Sequence, residues 1–197
     1  MSYDLLPALV AFSLVSSITP GPNNLMLMAS GANFGLRRSV PHMLGIAVGF
    51  VVMVFLVGIG LQRVFVAWPL AHTVLQVVSV AYLLYLAWKI ANAAPPENAE
   101  SHGTPFTFLQ AAAFQWVNPK AWAMALTATS VYAPNQTFFA IALVAAVFGA
   151  VNLPSISFWL LLGRELRRIL TNPARLRAFN WAMAGLLIAS LWPVVAP

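Results

Sequence analysis

Apolar residues occupy most of the chain in long runs, and short polar segments separate these runs. Each run has about twenty residues or more, the length that an α-helix needs to cross a hydrocarbon core ~30 Å thick. The pattern predicts six spans, at residues 5–32, 40–61, 68–90, 105–132, 136–162 and 178–195. We therefore expect an all-α membrane protein with six transmembrane helices.

A polar segment divides the six spans into two sets of three. This segment, residues 92–104, contains prolines and glutamates and is predicted to be a cytoplasmic linker. We expect a first three-helix repeat over residues 1–91 and a second over residues 105–197. Because each set has an odd number of spans, the halves should enter the membrane from opposite sides, as in an inverted-topology repeat.

A proline-containing break interrupts the first span of each half near its middle. The first break is Thr19-Pro20-Gly21-Pro22-Asn23-Asn24, and the second is Asn118-Pro119-Lys120. Proline removes a backbone donor and clashes with the preceding turn, so a helix breaks or kinks there. Freed backbone groups are tolerated at membrane depth only where protein or a water-filled cavity surrounds them. Paired breaks in two halves therefore indicate the binding site of a transporter.

Helix-capping residues surround the first break. Thr19, or Ser16 or Ser17, is expected to cap the half-helix that restarts after the break. Pro20 or Pro22 suits the first position of that half-helix, because its fixed φ matches the helical value. The alternative is a proline kink that serves packing alone.

The half-helix after the first break should present an anion site. The amides of Asn23, Asn24 and Leu25 are expected to point into the break, at the positive end of the helix dipole. Gly21 permits backbone conformations that other residues resist. Such a terminus suits a substrate carboxylate, and the two asparagine side chains add donors and acceptors.

The second break carries a charge. Asn118 is a good N-cap residue, Pro119 suits the first helical position, and Lys120 follows at once, with Gln115 nearby. A buried charge is expensive in a membrane and marks a functional site. The Lys120 ammonium could pair with a substrate carboxylate or exchange a proton. The alternative is a side chain that reaches the membrane surface.

Two further groups of polar residues are weaker candidates. Asn152 and Ser155 lie in the fifth span, where they could bind a substrate amino group or hydroxyl, or form hydrogen bonds between helices. His42, near the end of the second span, is a proton relay or an interface residue. Because no Asp or Glu falls inside a predicted span, Lys120 and His42 are the candidates for proton coupling.

A G-x-x-x-G pattern at Gly45 and Gly49 predicts a close helix approach in the second span. No cysteine is present, and the three histidines are scattered. We therefore expect no transition-metal site and no cofactor.

The composition excludes an ordinary soluble protein. The chain is 61% hydrophobic and 7% charged, with a mean hydropathy of +0.84, whereas soluble domains carry roughly 25% charged residues. The net charge of +6 does not indicate a nucleic-acid partner, because the basic residues cluster in short loops between spans.

The distribution of basic residues predicts the orientation. One side holds Arg37, Arg38, Lys89, Arg164, Arg167, Arg168, Arg175 and Arg177. The other side holds Arg63 alone. Lysine and arginine favour the cytoplasmic side, so both termini are predicted to lie outside, in the periplasm of a cell with an inner membrane. The amino-terminal residues lack a basic segment and a cleavage site, so no cleaved signal peptide is expected.

Several segments together resemble the lysine exporter superfamily of the LysE/RhtB type. They are Thr19-Pro20-Gly21-Pro22-Asn23, Gly35-Leu36-Arg37-Arg38-Ser39, Gly45-Ile46-Ala47-Val48-Gly49-Phe50, residues 81–89, and Asn118-Pro119-Lys120-Ala121. The resemblance implies a small inner-membrane exporter of amino acids, generally driven by the proton motive force. It is nearest to the branch that exports neutral amino acids such as cysteine, O-acetylserine, homoserine or threonine. It carries site roles to Pro20, Gly21, Pro22, Asn118, Pro119 and Lys120.

We therefore expect an exporter of small zwitterionic amino acids that works by alternating access in the lipid bilayer, with proton antiport. The absence of an acidic residue in the spans argues against a basic substrate. The alternatives are an intramembrane enzyme with a Ser–Lys dyad and a passive channel. The sequence leaves the oligomeric state open, a homo-oligomer included.

Overall fold

The computed structural model describes residues 5–61, 63, 67–93 and 104–192, and this part of the chain is helical, without strands. The prediction of an all-α protein is confirmed. The described residues form α1 (Leu5–Ile18), α2 (Pro22–Phe34), α3 (Leu36–Leu56), α4 (Pro69–Ala91), α5 (Phe108–Phe114), α6 (Pro119–Tyr132), α7 (Phe138–Arg167) and α8 (Pro173–Ala189). A π-helical turn, Val57–Leu61, extends α3, and a 3₁₀ turn, Gln115–Val117, joins α5 to α6.

Three helices of the described part are long and apolar enough to cross a membrane. They span Leu36–Leu61, Thr73–Ala91 and Phe138–Arg167. The pair α1 and α2 is bent by 52° at the first break, and it adds a fourth span if the two helices count as one. The α5–α6 pair and α8 are not among these spans. The arrangement of six spans in two inverted repeats therefore stays a prediction. Residues 94–103 of the predicted linker lie outside the described part.

The fifth and sixth predicted spans leave residues 163–177 as a basic loop between them, and this prediction is wrong over most of its length. Helix α7 continues to Arg167 and α8 begins at Pro173, so the turn between them is only residues 168–172. The end of α7 stays helical because Arg, Leu and Glu are good helix formers. Helix α7 is also continuous through Pro154, as neighbouring helices can make a lone proline tolerable in a membrane helix.

Helix α2 lies at the centre of the protein and is buried along nearly its whole length. It crosses α7 with the two backbones in contact. A Cβ atom on Gly163 would lie 2.0 Å from the Met28 carbonyl oxygen, and one on Gly31 would lie 2.4 Å from the Leu160 carbonyl oxygen. Only glycine fits at these two positions. The crossing therefore fixes α2, which begins at the first break, against α7, the longest of the described helices.

The predicted close approach at Gly45 and Gly49 is confirmed, and the partner is α5. A Cβ atom on Gly45 would lie 2.3 Å from the Phe108 carbonyl oxygen, and one on Gly49 would lie 2.6 Å from the Ala112 Cα. This contact holds α5 against α3 and so places the second break beside the first. Helix α4 packs on α8 at the side of this core.

Candidate functional site

The Lys120 side chain joins the two breaks. Its ammonium donates hydrogen bonds to the Thr19 carbonyl oxygen at 2.8 Å, the Thr19 hydroxyl at 3.0 Å and the Pro20 carbonyl oxygen at 3.3 Å. These acceptors follow the last turn of α1, where carbonyl groups lack partners within the helix and the helix dipole is negative. The cation is therefore stabilised at the end of α1.

The predicted side-chain caps of α2 are wrong. The N-cap of α2 is Gly21, which is extended and makes no side-chain cap, and the first helical position is Pro22. The hydroxyl groups of Ser16 and Thr19 point back to carbonyl oxygens of α1 and donate to them. The Ser16 hydroxyl bonds back to the Phe12 carbonyl one turn earlier, as serines in helices commonly do. The Thr19 hydroxyl binds the Ser16 carbonyl, which lacks a partner within the helix because it lies in the last turn.

The Asn24 side chain fixes the first break. Its Nδ2 donates to the carbonyl oxygens of Ser17 and Thr19, both at 2.8 Å. The Trp159 indole of α7 donates to the Ile18 carbonyl oxygen at 3.0 Å. The final carbonyls of α1 are thus bound by side chains, and the bend between α1 and α2 is held from both sides.

The second break has the predicted local structure. Asn118 is the N-cap of α6, its Oδ1 accepts the Lys120 amide at 3.2 Å, and Pro119 occupies the first helical position. The Trp122 indole donates to the Trp116 carbonyl oxygen at 2.9 Å, at the end of the preceding 3₁₀ turn. Each break therefore has an indole bound to a carbonyl before it and a helix that starts with proline after it.

Asn23 and Gln115 form a reciprocal amide pair between the two breaks. Asn23 Nδ2 donates to Gln115 Oε1 at 2.8 Å, and Gln115 Nε2 donates to Asn23 Oδ1 at 3.1 Å. Gln115 is fully buried and also donates to the Ala111 carbonyl oxygen at 2.9 Å. The sequence placed Gln115 near the site, and a polar residue in an apolar span was the available signal. The pairing itself was not predicted.

A central cavity of about 20 Å³ lies between the breaks. One water molecule needs roughly 10–15 Å³, so the cavity has room for a single water and is too small for an amino acid. Its lining residues are Ser16, Ser17, Gly21, Asn23, Asn24, Phe50, Asn118, Lys120, Ala121, Met124, Asn152 and Ile156. The apolar members gave no signal in the sequence, because apolar residues fill every span.

The remaining predicted residues lie around the cavity. Thr19, Pro20, Pro22 and Pro119 form the breaks without lining the cavity. Ser155 does not line it either, and its hydroxyl donates to the Val151 carbonyl oxygen of its own helix at 2.8 Å. The structure thus brings Asn152 of the fifth predicted span to the breaks and leaves Ser155 out.

Two polar atoms of the central cavity lack a partner. Ser17 Oγ and Asn152 Nδ2 are buried and make no hydrogen bond within the described part of the chain. A buried polar atom without a hydrogen bond is costly, and such atoms in native proteins generally find a ligand or water. Both atoms are therefore available to a bound molecule.

Histidine 42 lies apart from the central cavity. Its ring packs on Phe106, with 5.2 Å between the ring centroids, and lines a second cavity. Of the two candidates for proton coupling, Lys120 lines the central cavity and His42 does not. The structure therefore does not bring the two together.

Negative side chains are absent from the central cavity among the described residues. Glu165, in the last turn of α7, pairs with Arg164 and Arg168. Asp4, Glu97 and Glu100 lie outside the described part. The described residues also contain no group of three or more side chains that could hold a metal ion. The site combines one ammonium with neutral donors and backbone acceptors, so it suits a small polar molecule with a carboxylate.

Comparison with known proteins identifies the family. The family model described as LysE type translocator matches residues 14–191. A cysteine/O-acetylserine efflux protein of Klebsiella pneumoniae is 32% identical over 195 residues, which cover 95% of both chains. Proteins of the same name from Escherichia coli and Shigella flexneri are 33% and 34% identical, over 70% and 68% of both chains. No solved structure matches the chain. The match over most of the chain, together with apolar helices of membrane length, shows a multi-pass membrane protein that belongs to the family of LysE type translocators.

Proposed function

We propose that the protein exports small neutral amino acids or close derivatives from the cytoplasm, and that the central cavity binds them. The observation that carries the proposal is the Lys120 ammonium, which faces a small polar cavity between two broken helices. The three relatives named above are cysteine/O-acetylserine efflux proteins, and they support the same class of substrate.

The site suits a zwitterion because it offers partners for both charges. A substrate carboxylate would draw the Lys120 ammonium away from Thr19 and Pro20, with the N-terminal amides of α2, which have no side-chain cap, close by. The carbonyl oxygens that Lys120 leaves lie at the negative end of α1, where they can accept from the α-ammonium of the substrate. Ser17 and Asn152 supply further partners for a substrate side chain.

Neutral substrates are favoured over basic ones. A lysine or arginine substrate needs an acceptor for a second positive charge, and none of the cavity-lining residues is acidic. Burying an unpaired charge is expensive, and Lys120 already supplies one cation. We therefore expect cysteine, O-acetylserine, homoserine or threonine to be exported in preference to lysine or arginine.

Transport requires the small central cavity to widen and to open to each side in turn. Two inverted three-helix repeats, each with a broken first helix, would permit this movement around a fixed site, as in other secondary transporters. We further propose proton antiport through Lys120, since it is the ionisable side chain that lines the cavity. In the predicted orientation both termini lie in the periplasm, and export carries the substrate to that side.

The two alternatives have less support. A Ser–Lys enzyme requires a serine hydroxyl bound to the lysine amine, but the hydrogen bonds of the Lys120 ammonium within the described part go to Thr19 and Pro20. A passive channel requires a continuous path, and the cavity has room for one water.

Counterflow in proteoliposomes tests the proposal. Vesicles are loaded with unlabelled O-acetylserine, and uptake of the labelled compound is followed, with lysine as the matched basic compound and with or without a pH gradient. We expect transient accumulation of O-acetylserine and none of lysine, and faster transport with the pH gradient. Absence of counterflow for every neutral amino acid would refute the proposal that the protein is a carrier. Equal transport of lysine would refute the proposed preference for neutral substrates.

A further inference from the structure

A second cavity of about 240 Å³ lies at the end of the protein where α2 and α4 finish. We name it the α2–α4 chamber and define it by Met26, Ser30, Asn33, His42, Lys89 and Phe106. Its volume is more than ten times that of the central cavity, so it has room for an amino acid. The chamber lies beside Lys89 and the start of the linker, on the side predicted to be cytoplasmic.

The chamber contains a buried imidazole without a partner. His42 is 1% exposed, and neither of its ring nitrogens makes a hydrogen bond within the described part of the chain. A neutral imidazole offers one donor and one acceptor. Because buried polar atoms in native proteins generally have a hydrogen-bond partner, we expect a bound molecule to contact these two ring nitrogens.

A cation lies next to this imidazole. The Lys89 ammonium is 4.9 Å from the centroid of the Phe106 ring, and the His42 ring lies 5.2 Å from the same centroid. Lys89 makes no ion pair within the described residues. The chamber therefore offers an ammonium and an imidazole that lie beside the same aromatic ring.

One face of α2 connects the chamber to the central cavity. Asn23, Met26, Ser30 and Asn33 recur at intervals of three and four residues, so they lie on one side of the helix. Asn23 lines the central cavity and the other three line the chamber. Asn23, which forms the reciprocal pair with Gln115, is the member of this face that lines the central cavity.

We propose that the α2–α4 chamber is a second binding site, in which the amino acid is held before it passes to the central cavity. This inference rests on the proposed function. Lys89 binds the substrate carboxylate, His42 accepts from its α-ammonium, and Met26 and Phe106 contact its side chain. The Asn23–Gln115 pair separates the two sites and must open for the substrate to move between them.

Single cysteines make the chamber accessible to experiment, because the chain has none of its own. Ala93 lines the chamber, whereas Thr171 is exposed in the turn between α7 and α8. We expect saturating O-acetylserine to slow the reaction of Ala93→Cys with a water-soluble maleimide and to leave Thr171→Cys unaffected. Lys89→Gln in the Ala93→Cys protein should remove the protection, and Lys89→Arg should retain it.

A kinetic measurement tests the role of Lys89 separately. With substrate supplied from the linker side, Lys89→Gln should raise the half-saturating concentration of O-acetylserine about tenfold. The maximal rate should stay near that of the parent, whereas a purely structural role would lower the rate and the yield of folded protein. Lys89→Arg should restore the parent value.

The outcomes separate this inference from the proposed function. Counterflow without any protection of Ala93→Cys would overturn the chamber site and leave the transporter intact. Protection by oleate but not by O-acetylserine would also overturn it, since the chamber would then bind an apolar anion. Absence of counterflow for the parent protein would instead refute the proposed function.

Discussion

At the scale of residues, the central feature is a lysine that joins positions 100 residues apart in the chain. The sequence identified Lys120 as a charge at membrane depth, since a cation in an apolar span is conspicuous. It could not identify the partners, because two of the three acceptors are backbone carbonyls just after α1, and every residue has a carbonyl. For the same reason the predicted caps of α2 were wrong, as the hydroxyls of Ser16 and Thr19 bind α1 instead.

Gly21→Ala should reduce transport without harming the fold. A Cβ atom at this position would lie 2.7 Å from Lys120 Cδ and 3.1 Å from its Nζ. Because Gly21 is already extended, alanine adds no backbone strain, and the flexible lysine can move aside. We expect a normal yield of folded protein and an initial counterflow rate about tenfold lower, as a loss of roughly 1.4 kcal/mol would give.

Gly185→Ala is the matched control for this variant, since nothing lies within 4 Å of the added Cβ. It should transport at the parent rate. A Gly21→Ala protein that also transports at the parent rate would show that the position of the Lys120 side chain is unimportant.

At the scale of elements, the crossing of α2 and α7 positions the site. The sequence predicted the close approach at Gly45 and Gly49 because both glycines lie on one helix at a known spacing. It did not predict the crossing at Gly31 and Gly163, because these glycines lie on different helices and form no motif. The run of proline, glycine and asparagine predicted the first break correctly. The lone Pro154, in contrast, does not interrupt α7, which is continuous through it.

Gly163→Ala should destabilise the protein as a whole. Its methyl group would lie 2.0 Å from the Met28 carbonyl oxygen, and backbone atoms cannot move aside as a flexible side chain can. Overpacking typically costs about 1–3 kcal/mol, so we expect a lower thermal midpoint in detergent and less folded protein. Gly185→Ala again serves as the control on a neighbouring helix. An unchanged midpoint for Gly163→Ala would contradict the backbone contact between α2 and α7.

At the scale of the whole molecule, the sequence predicted the class of protein and the meeting of the two breaks. The hydrophobic pattern was sufficient to predict the class of protein, since it fixes which segments are helical and apolar. The paired proline breaks pointed to one shared site. It did not show that α5 has only seven residues and reaches the second break through a 3₁₀ turn. Helix length in that region depends on contacts with α3, which the hydrophobic pattern does not record.

The predicted orientation leads to a test with reporter fusions. A reporter enzyme that is active only outside the cytoplasm should be active at either terminus and inactive when inserted in the turn at residues 168–172. The basic residues near that turn are expected to hold it on the cytoplasmic side. Activity at one terminus alone would mean an odd number of spans, and it would contradict the inverted repeat.

Counterflow of O-acetylserine by the Lys120→Met protein tests the central claim most directly. Methionine keeps an unbranched side chain only one atom shorter and removes the ammonium. Asn24 still binds the Thr19 carbonyl oxygen, so the first break keeps a donor. We predict that counterflow falls to the level of empty vesicles while the yield and the thermal midpoint stay near those of the parent. Counterflow at the parent rate from a folded Lys120→Met protein would contradict the assignment of the binding site to the two breaks.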